Sequence, residues 1–271
     1  VPEDAVKVLT YNVKGFDMKN HTKENPNPTL NYIIDCDADI VCIQEFTTIE
    51  GNDKLLSKAK VDKALSKYKY KSVVPLRKAG KVTTGIAVYS KYPIKKSQQI
   101  KYDSSFNGSA VHILDIKGKK VALVNNHLES FKLTAEDRDS YSSFLKNINS
   151  ATFEDFKQSA GKKLGPAYRI RAKQAYKVAK EIDGLDAEYV IVCGDFNDTP
   201  VSYAHRKIQG NMLDAYAESG RGYGISYNQN FFWFRIDNII HSKNIKSYNC
   251  TIDKVDYSDH YPVWCYLSLG I

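Results

Sequence analysis

Two stretches of the chain crowd chemically capable side chains onto strand ends. Gly194-Asp195-Phe196-Asn197-Asp198-Thr199-Pro200 follows the β-forming run Tyr189-Val190-Ile191-Val192-Cys193, and Ser258-Asp259-His260-Tyr261-Pro262 follows a strand-like region over residues 252–257. Strand ends are where a rigid scaffold presents side chains to a cleft. Buried carboxylates without partners are costly, so stability gives no reason to gather acids, an amide and a histidine at one rim. A metal ion or a phosphate would supply the missing compensation.

The elements that must position these groups follow from periodicity. Residues 6–13 alternate apolar and polar side chains and predict a first strand ending at Asn12; residues 29–35 predict a helix, and 39–45 a buried strand that finishes on Glu45. A lysine-rich amphipathic helix is expected over 54–68, then strands at 70–74, 85–89 and 98–102. A hairpin, 111–116 with 121–125, turns at Lys117-Gly118-Lys119 and leads out to His127. From 133 to 184 the pattern is helical, with Thr134 as a cap, a polar portion over 147–165, and an amphipathic helix over 168–182 stopped by Gly184. Residues 203–218 are expected to be mostly helical, 220–234 a glycine and aromatic loop, 235–240 a strand carrying Asp237, and 263–267 the last strand. Grouped strands with helices between them predict an α/β (α+β) fold, two mixed sheets packed face to face and flanked by helices.

At 271 residues the chain can bury a sizeable core, and no boundary favours dividing it, so 1–271 reads as a single domain. No uninterrupted apolar run is long enough to cross a bilayer. The net charge of +8 favours polyanionic partners such as nucleic acid or phosphorylated headgroups, although a solvated lysine-rich surface gives the same count. Cys36, Cys42, Cys193, Cys250 and Cys265 lack metal-finger spacing and read as small buried hydrophobes. His21, His112, His205 and His241 read as surface or packing residues.

Six segments carry a resemblance. Thr10-Tyr11-Asn12-Val13, Ile43-Gln44-Glu45, Asn126-His127-Leu128, Gly194-Asp195-Phe196-Asn197, Arg235-Ile236-Asp237 and Ser258-Asp259-His260-Tyr261-Pro262-Val263 resemble, in order and over nearly the whole chain, the motifs of the endonuclease/exonuclease/phosphatase family. That family includes deoxyribonuclease I, exonuclease III, inositol polyphosphate 5-phosphatases and neutral sphingomyelinases. The resemblance implies a four-layer sandwich of the deoxyribonuclease I type and divalent-metal-dependent phosphoester hydrolysis by in-line attack of an activated water. By that likeness Glu45 is the principal Mg²⁺ ligand, with Mn²⁺ and Ca²⁺ as alternatives, and Asn12 and Asp259 lie close to the ion directly or through water. Asp195 and Asn197 sit against the attacking water and the phosphate; a carboxylate can accept the proton while an amide can only orient. His260 faces a phosphate oxygen with Asp237 on its other ring nitrogen, and His127 is the second phosphate-facing imidazole.

The chain also departs from the family. Lys14 stands where the exonuclease III branch has an acid, and residues 81–84 offer no glutamate to pair with His127 as in deoxyribonuclease I. Phe234-Arg235-Ile236-Asp237-Asn238 does not look like the inositol phosphatase signature.

For substrate, Arg169 and Arg171, with Lys162 and Lys163, could clamp a phosphate or form a solvated helix face. Tyr227, with Tyr223, Phe231, Phe232, Trp233 and Phe234, could stack bases or pack the loop. The first expectation is a monomeric nuclease. The alternative is a phosphomonoesterase or a lipid phosphodiesterase acting on sphingomyelin or a phosphoinositide-like substrate; a non-catalytic binding module would be expected to have lost ligands. The start at Val1-Pro2-Glu3 fits a processed product, exported or membrane-anchored with its leader removed, and a cytoplasmic origin fits the unpaired cysteines equally well.

Overall fold

Strands buried along nearly every residue must be covered on both faces, and Val6–Asn12 is such a strand. The computed structural model describes residues 1–104, 106–131, 143, 146, 147, 149–229 and 232–270. In chain order the elements are β1 (Val6–Asn12), α1 (Pro28–Cys36), β2 (Ile40–Ile49), α2 (Lys58–Ala64), β3 (Tyr70–Ala79), β4 (Val82–Ser90), β5 (Ile94–Ile100), β6 (Gly108–Ile116), β7 (Lys119–His127) and α3 (Ser150–Asp183). They continue with β8 (Tyr189–Asp195), α4 (Tyr203–Gln209), β9 (Leu213–Asp214), α5 (Ala215–Ser219), β10 (Tyr227–Gln229), β11 (Phe232–Phe234), β12 (Asp237–His241), β13 (Lys246–Ile252) and β14 (Val263–Ser268).

The strands form two mixed six-stranded sheets, β13-β14-β1-β2-β4-β3 and β5-β6-β7-β8-β12-β9, plus the small hairpin β10-β11. Each large sheet holds one parallel pair at its centre, β1 with β2 and β7 with β8. Three apolar clusters separate four layers. Val8, Cys42, Val88, Leu123, Ile191 and Cys193 meet between the sheets; Leu30, Ile33 and Val61 close α1 and α2 onto the outer face of the first sheet; Ala175, Val178 and Ile208 close α3 and α4 onto the second. This is the flanked double sheet expected from the sequence.

Local chemistry sets the element ends. Asn27 caps α1 by accepting from Leu30 N, with Pro28 at the first helical position, and Ser57 caps α2 in the same way. The α2 helix is therefore shorter than expected, because Leu55 instead bridges to Lys19. The segment that precedes Asp259 also differs from expectation: β13 ends at Ile252, and residues 253–262 loop back into β14. The aromatic segment holds the hairpin β10-β11, and two short helices separated by Gly210 and β9 occupy the region expected to be mostly helical. The Thr134 cap, Phe231 and the side chains of Lys162, Lys163 and Phe232 lie outside the described residues.

Candidate active site

Three central strands, β1, β7 and β8, end at one rim on Asn12, His127 and Asp195, and Glu45 joins them from within β2. Parallel pairing sets His127 opposite Asp195, and antiparallel pairing sets Asp237 opposite the same residue. Below them Gln44 Nε2 donates to Asn125 Oδ1 across the sheets at 2.7 Å, and Asn125 Nδ2 donates to the carbonyls of Ile43 and Ala87. This buried amide bridge fixes the spacing of the two sheets directly beneath the site.

Two devices aim the side chains. β2 does not finish on Glu45 but runs on to Ile49, with a bulge in which Gln44 and Glu45 together oppose the single residue Ile86. Glu45 adopts φ 51° there, a left-handed conformation costly for a residue of its type. Bulges re-aim side chains next to sites, and this one turns Glu45 to the cleft. At Gly194, φ is 128° and a Cβ would fall 2.0 Å from the Asn126 carbonyl oxygen, so only glycine lets β8 approach β7 closely enough to deliver Asp195.

Asp195 is the hub. Its Oδ2 accepts from Asn12 Nδ2 at 3.0 Å and from Asn197 Nδ2 at 3.1 Å, and its Oδ1 from Asn197 N at 2.8 Å. His127 Nε2 and His260 Nε2 each lie 3.7 Å from the same Oδ2. Burial, the largest influence, raises the Asp195 pKa, against the pull of His260 and His127. Asn12 Nδ2 also donates to Glu45 Oε1 at 3.2 Å, and His127 Nε2 lies 3.6 Å from that oxygen. The group facing His127 is therefore Glu45 together with Asp195, an arrangement that no local sequence spacing reveals. His127 Nδ1 is buried without a hydrogen-bond partner among the described residues.

His260 Nδ1 pairs with Asp237 Oδ2 at 2.9 Å. Burial, the largest single influence, works to lower the His260 pKa, but the carboxylates of Asp237 and Asp195 outweigh it and lift it to about 10. The ring is thus a cation at neutral pH. Two serines that sequence reasoning left unassigned hold this pair. Ser226 Oγ accepts from Ile236 N and Asp237 N, and Ser258 Oγ donates to the Asn12 carbonyl while accepting from His260 N. Ser258 lies within the Ser-Asp-His segment, which was its only signal. Its bond to Asn12 ties the Asp259 loop to the end of β1, where Lys14 Nζ lies 3.4 Å from Asp259 Oδ2.

The substrate candidates divide. The Tyr227 ring sits 5.0 Å from that of His260, and the two residues share a backbone bridge. Arg169 is exposed on α3. Arg171 is fully buried, contrary to a role in clamping substrate: its Nε donates to Asp198 Oδ2 at 2.9 Å, its Nη1 to the Glu129 carbonyl, and its guanidinium lies over the Phe131 ring. A buried guanidinium requires an acid and carbonyl acceptors, and the fold supplies both from inside.

Donor atoms of Asp195, Asp237 and His260 lie within 4.8 Å of one another, a grouping of types that can hold a metal ion. The carboxylates suit a hard cation. Asp237 Oδ1, buried and without a hydrogen-bond partner among the described residues, is an oxygen whose desolvation a cation would offset. The Asn12 oxygen, by contrast, accepts from Lys14 N, so in this arrangement Asn12 orients two carboxylates through its NH₂ group.

A profile of the Endonuclease/Exonuclease/phosphatase family matches residues 9–260. The chain belongs to this family. Members share the fold seen here: the endonuclease/exonuclease/phosphatase protein of Beutenbergia cavernae superposes with a TM-score of 0.66 at 15% identity, covering 98% of this chain and 72% of that one. The protein of that description from Bacteroides vulgatus gives 0.65 at 20% identity, covering 98% and 99%. Sphingomyelinase C from Streptomyces griseocarneus gives 0.60 at 18% identity, covering 98% and 99%. No curated protein matches by sequence. Within this family the buried acid and imidazole cluster is a metal-dependent phosphoesterase active site. Among the described residues no helix is long and apolar enough to cross a membrane.

Proposed function

We propose that the chain is a Mg²⁺-dependent phosphodiesterase that cleaves nucleic acid, with residues 1–271 forming one catalytic domain. The observation that carries the chemistry is the convergence of Asn12, Asn197, His127 and His260 on the buried Asp195 carboxylate. An acid whose pKa is raised by burial is suited to take a proton from water, and Asn197, fixed to it, is suited to orient that water or a phosphate oxygen. His260, held as a cation by Asp237, offers its Nε2 proton to a phosphoryl oxygen. A doubly protonated imidazole has no lone pair for a metal, so the oxygens of Glu45, with Asp259 as the family likeness implies, would hold the cation. When bound, Mg²⁺ neutralises charge on the phosphoryl oxygens. The net charge of +8 supports a polyanionic substrate, and Tyr227 beside His260 offers a ring face to a base.

A lipid phosphodiesterase is the second reading. Tyr223 and Trp233, just before and within the β10-β11 hairpin whose Tyr227 bridges to His260, are 96% and 56% exposed, and amphipathic rings suit a lipid interface. Assaying plasmid, single-stranded DNA, RNA and sphingomyelin side by side with Mg²⁺ separates the two, with Asp195→Ala as the catalytic control. Cleavage of nucleic acid that weakens with salt and disappears in Asp195→Ala is expected. Salt-insensitive turnover of sphingomyelin alone would reverse the order.

A further inference from the structure

Away from the rim, two thiols meet where β13 pairs with β14. Tyr248 opposes Tyr266 and Thr251 opposes Trp264, so Asn249 and Cys250 together face the single residue Cys265. Asn249 absorbs the extra residue at φ 50°, as the first residue of a bulge often does. Cys250 is thereby returned to the inner face, and both cysteines belong to the apolar cluster between the sheets. Ser219, at the end of α5, touches both: its Oγ accepts from Cys250 N at 3.2 Å and lies 4.0 Å from Cys265 Sγ. Each thiol is the largest influence on the other, lowering the Cys265 pKa and raising that of Cys250, while Cys265 Sγ donates to the Tyr248 and Tyr266 carbonyls at 3.4 Å. Facing residues on antiparallel strands have Cα atoms about 4.5–5.5 Å apart, a separation that a disulfide spans.

Cys250 also borders a cleft, whereas the Cys265 side chain is fully buried. A cleft of about 590 Å³, lined by Tyr216, Tyr223, Lys254 and Trp264, has Ser219 and Cys250 in its wall, and Cys265 lies behind them. The other two facing thiols, Cys42 and Cys193, are wholly enclosed between the sheets.

We propose that Cys250 and Cys265 form a reactive thiol pair that a small peroxide converts into a disulfide across the β13-β14 ladder. One sulfur of the pair attacks a peroxide oxygen, the O–O bond breaks, and the departing oxygen leaves as water, giving a sulfenic acid. The other sulfur then attacks the oxidised one, the S–O bond breaks, and a second water leaves as the S–S bond forms. Two thiols lose two protons and two electrons, and the peroxide is reduced to two waters. The loop so closed, residues 250–265, carries Asp259 and His260, so the bond restrains in the unfolded chain the segment that completes the active site.

The test treats the folded protein with hydrogen peroxide, quenches it, and maps disulfides by mass spectrometry of a non-reduced digest alongside thermal denaturation. A peptide linking Cys250 to Cys265 is expected, with a rise in Tm of about 5–10 °C that dithiothreitol reverses. Cys250→Ala and Cys265→Ala should each abolish both changes while Cys42 and Cys193 stay reduced. Persistence of both thiols, over-oxidation of either thiol without a link, or a link to any other cysteine would overturn the proposal, as would an equal rise in Tm in either variant.

Discussion

His260 Nδ1 and Asp237 Oδ2 lie 2.9 Å apart with both side chains buried, and the Asp195 carboxylate stands 3.7 Å from the other ring nitrogen. Because two acids flank it, the ring is held charged across the whole neutral range. Its folded pKa exceeds the usual 6.5, so the stability it contributes is complete below about pH 6.5 and is lost as pH rises through about 10. Asp237→Asn removes one of the two acids. The difference in unfolding free energy between wild type and variant should be on the order of 3 kcal/mol at neutral pH and should shrink as pH climbs from 7 to 10. A difference that stays constant over that range would show that the pair does not hold the proton. In turnover, His260→Gln should lower kcat by about 10²–10⁴-fold on any substrate that wild type hydrolyses.

Glu45 is turned to the cleft by the β2 bulge and receives the Asn12 amide. If it is the principal cation ligand, Glu45→Gln should weaken Mg²⁺ or Mn²⁺ binding by about 10–100-fold in calorimetry. Tm without metal should move little, because the side chain is half exposed and the replacing amide keeps an oxygen to accept from Asn12. Unchanged affinity would move the ion toward the Asp195 and Asp237 oxygens, a location that Asp237→Asn calorimetry would then report.

Sequence patterning places Asp195, Asn197 and Asp237 at the rim because an unbroken apolar strand adjoins each motif and strand ends are set by local composition. Patterning does not show that β2 continues past Glu45, since Gln44 and Glu45 interrupt the apolar run and the sheet absorbs them as a bulge before pairing resumes at Phe46. The partners of His127 are equally hidden, because they come from β2 and β8 and meet only when the sheets pack. Arg171 misleads for a related reason. A charge on an amphipathic helix reads as solvent-facing, and its burial depends on Asp198 and on the Glu129 carbonyl, both far from it in sequence.

The buried Arg171 therefore gives a stability prediction in place of a binding one. Arg171→Ala leaves Asp198 nearly enclosed without its cation and should cost about 3–5 kcal/mol, seen as a lower urea midpoint. Arg171→Lys keeps the charge but loses the fork that reaches Asp198 and the Glu129 carbonyl together, so partial recovery is expected. A loss of substrate affinity with no loss of stability would instead return Arg171 to the cleft.

Asp214 links α4, α5 and the strand that carries Asp237. Its carboxylate receives both ends of the Arg235 fork at 2.9 and 2.8 Å, lies 3.5 Å from His205 Nε2, and caps α5 through Tyr216 N and Ala217 N. Burial works to raise its pKa, but the nearby His205 ring and the hydrogen bonds from Arg235 outweigh burial and hold it far below the usual 3.8. A depressed carboxylate contributes stability that is complete above its unfolded pKa and drains away as pH falls toward the folded one. Asp214→Asn should therefore lie about 3–5 kcal/mol below wild type at neutral pH, where Arg235 is left half-paired. The gap should begin to close below pH 3.8 and narrow by about 1–2 kcal/mol near pH 2.5, read from urea midpoints. Since Arg235 is anchored two residues before Asp237, loosening it should also lower turnover before the fold is lost. Absence of a gap would mean that Asp214 acts through its helix cap, which the asparagine preserves, and not through Arg235.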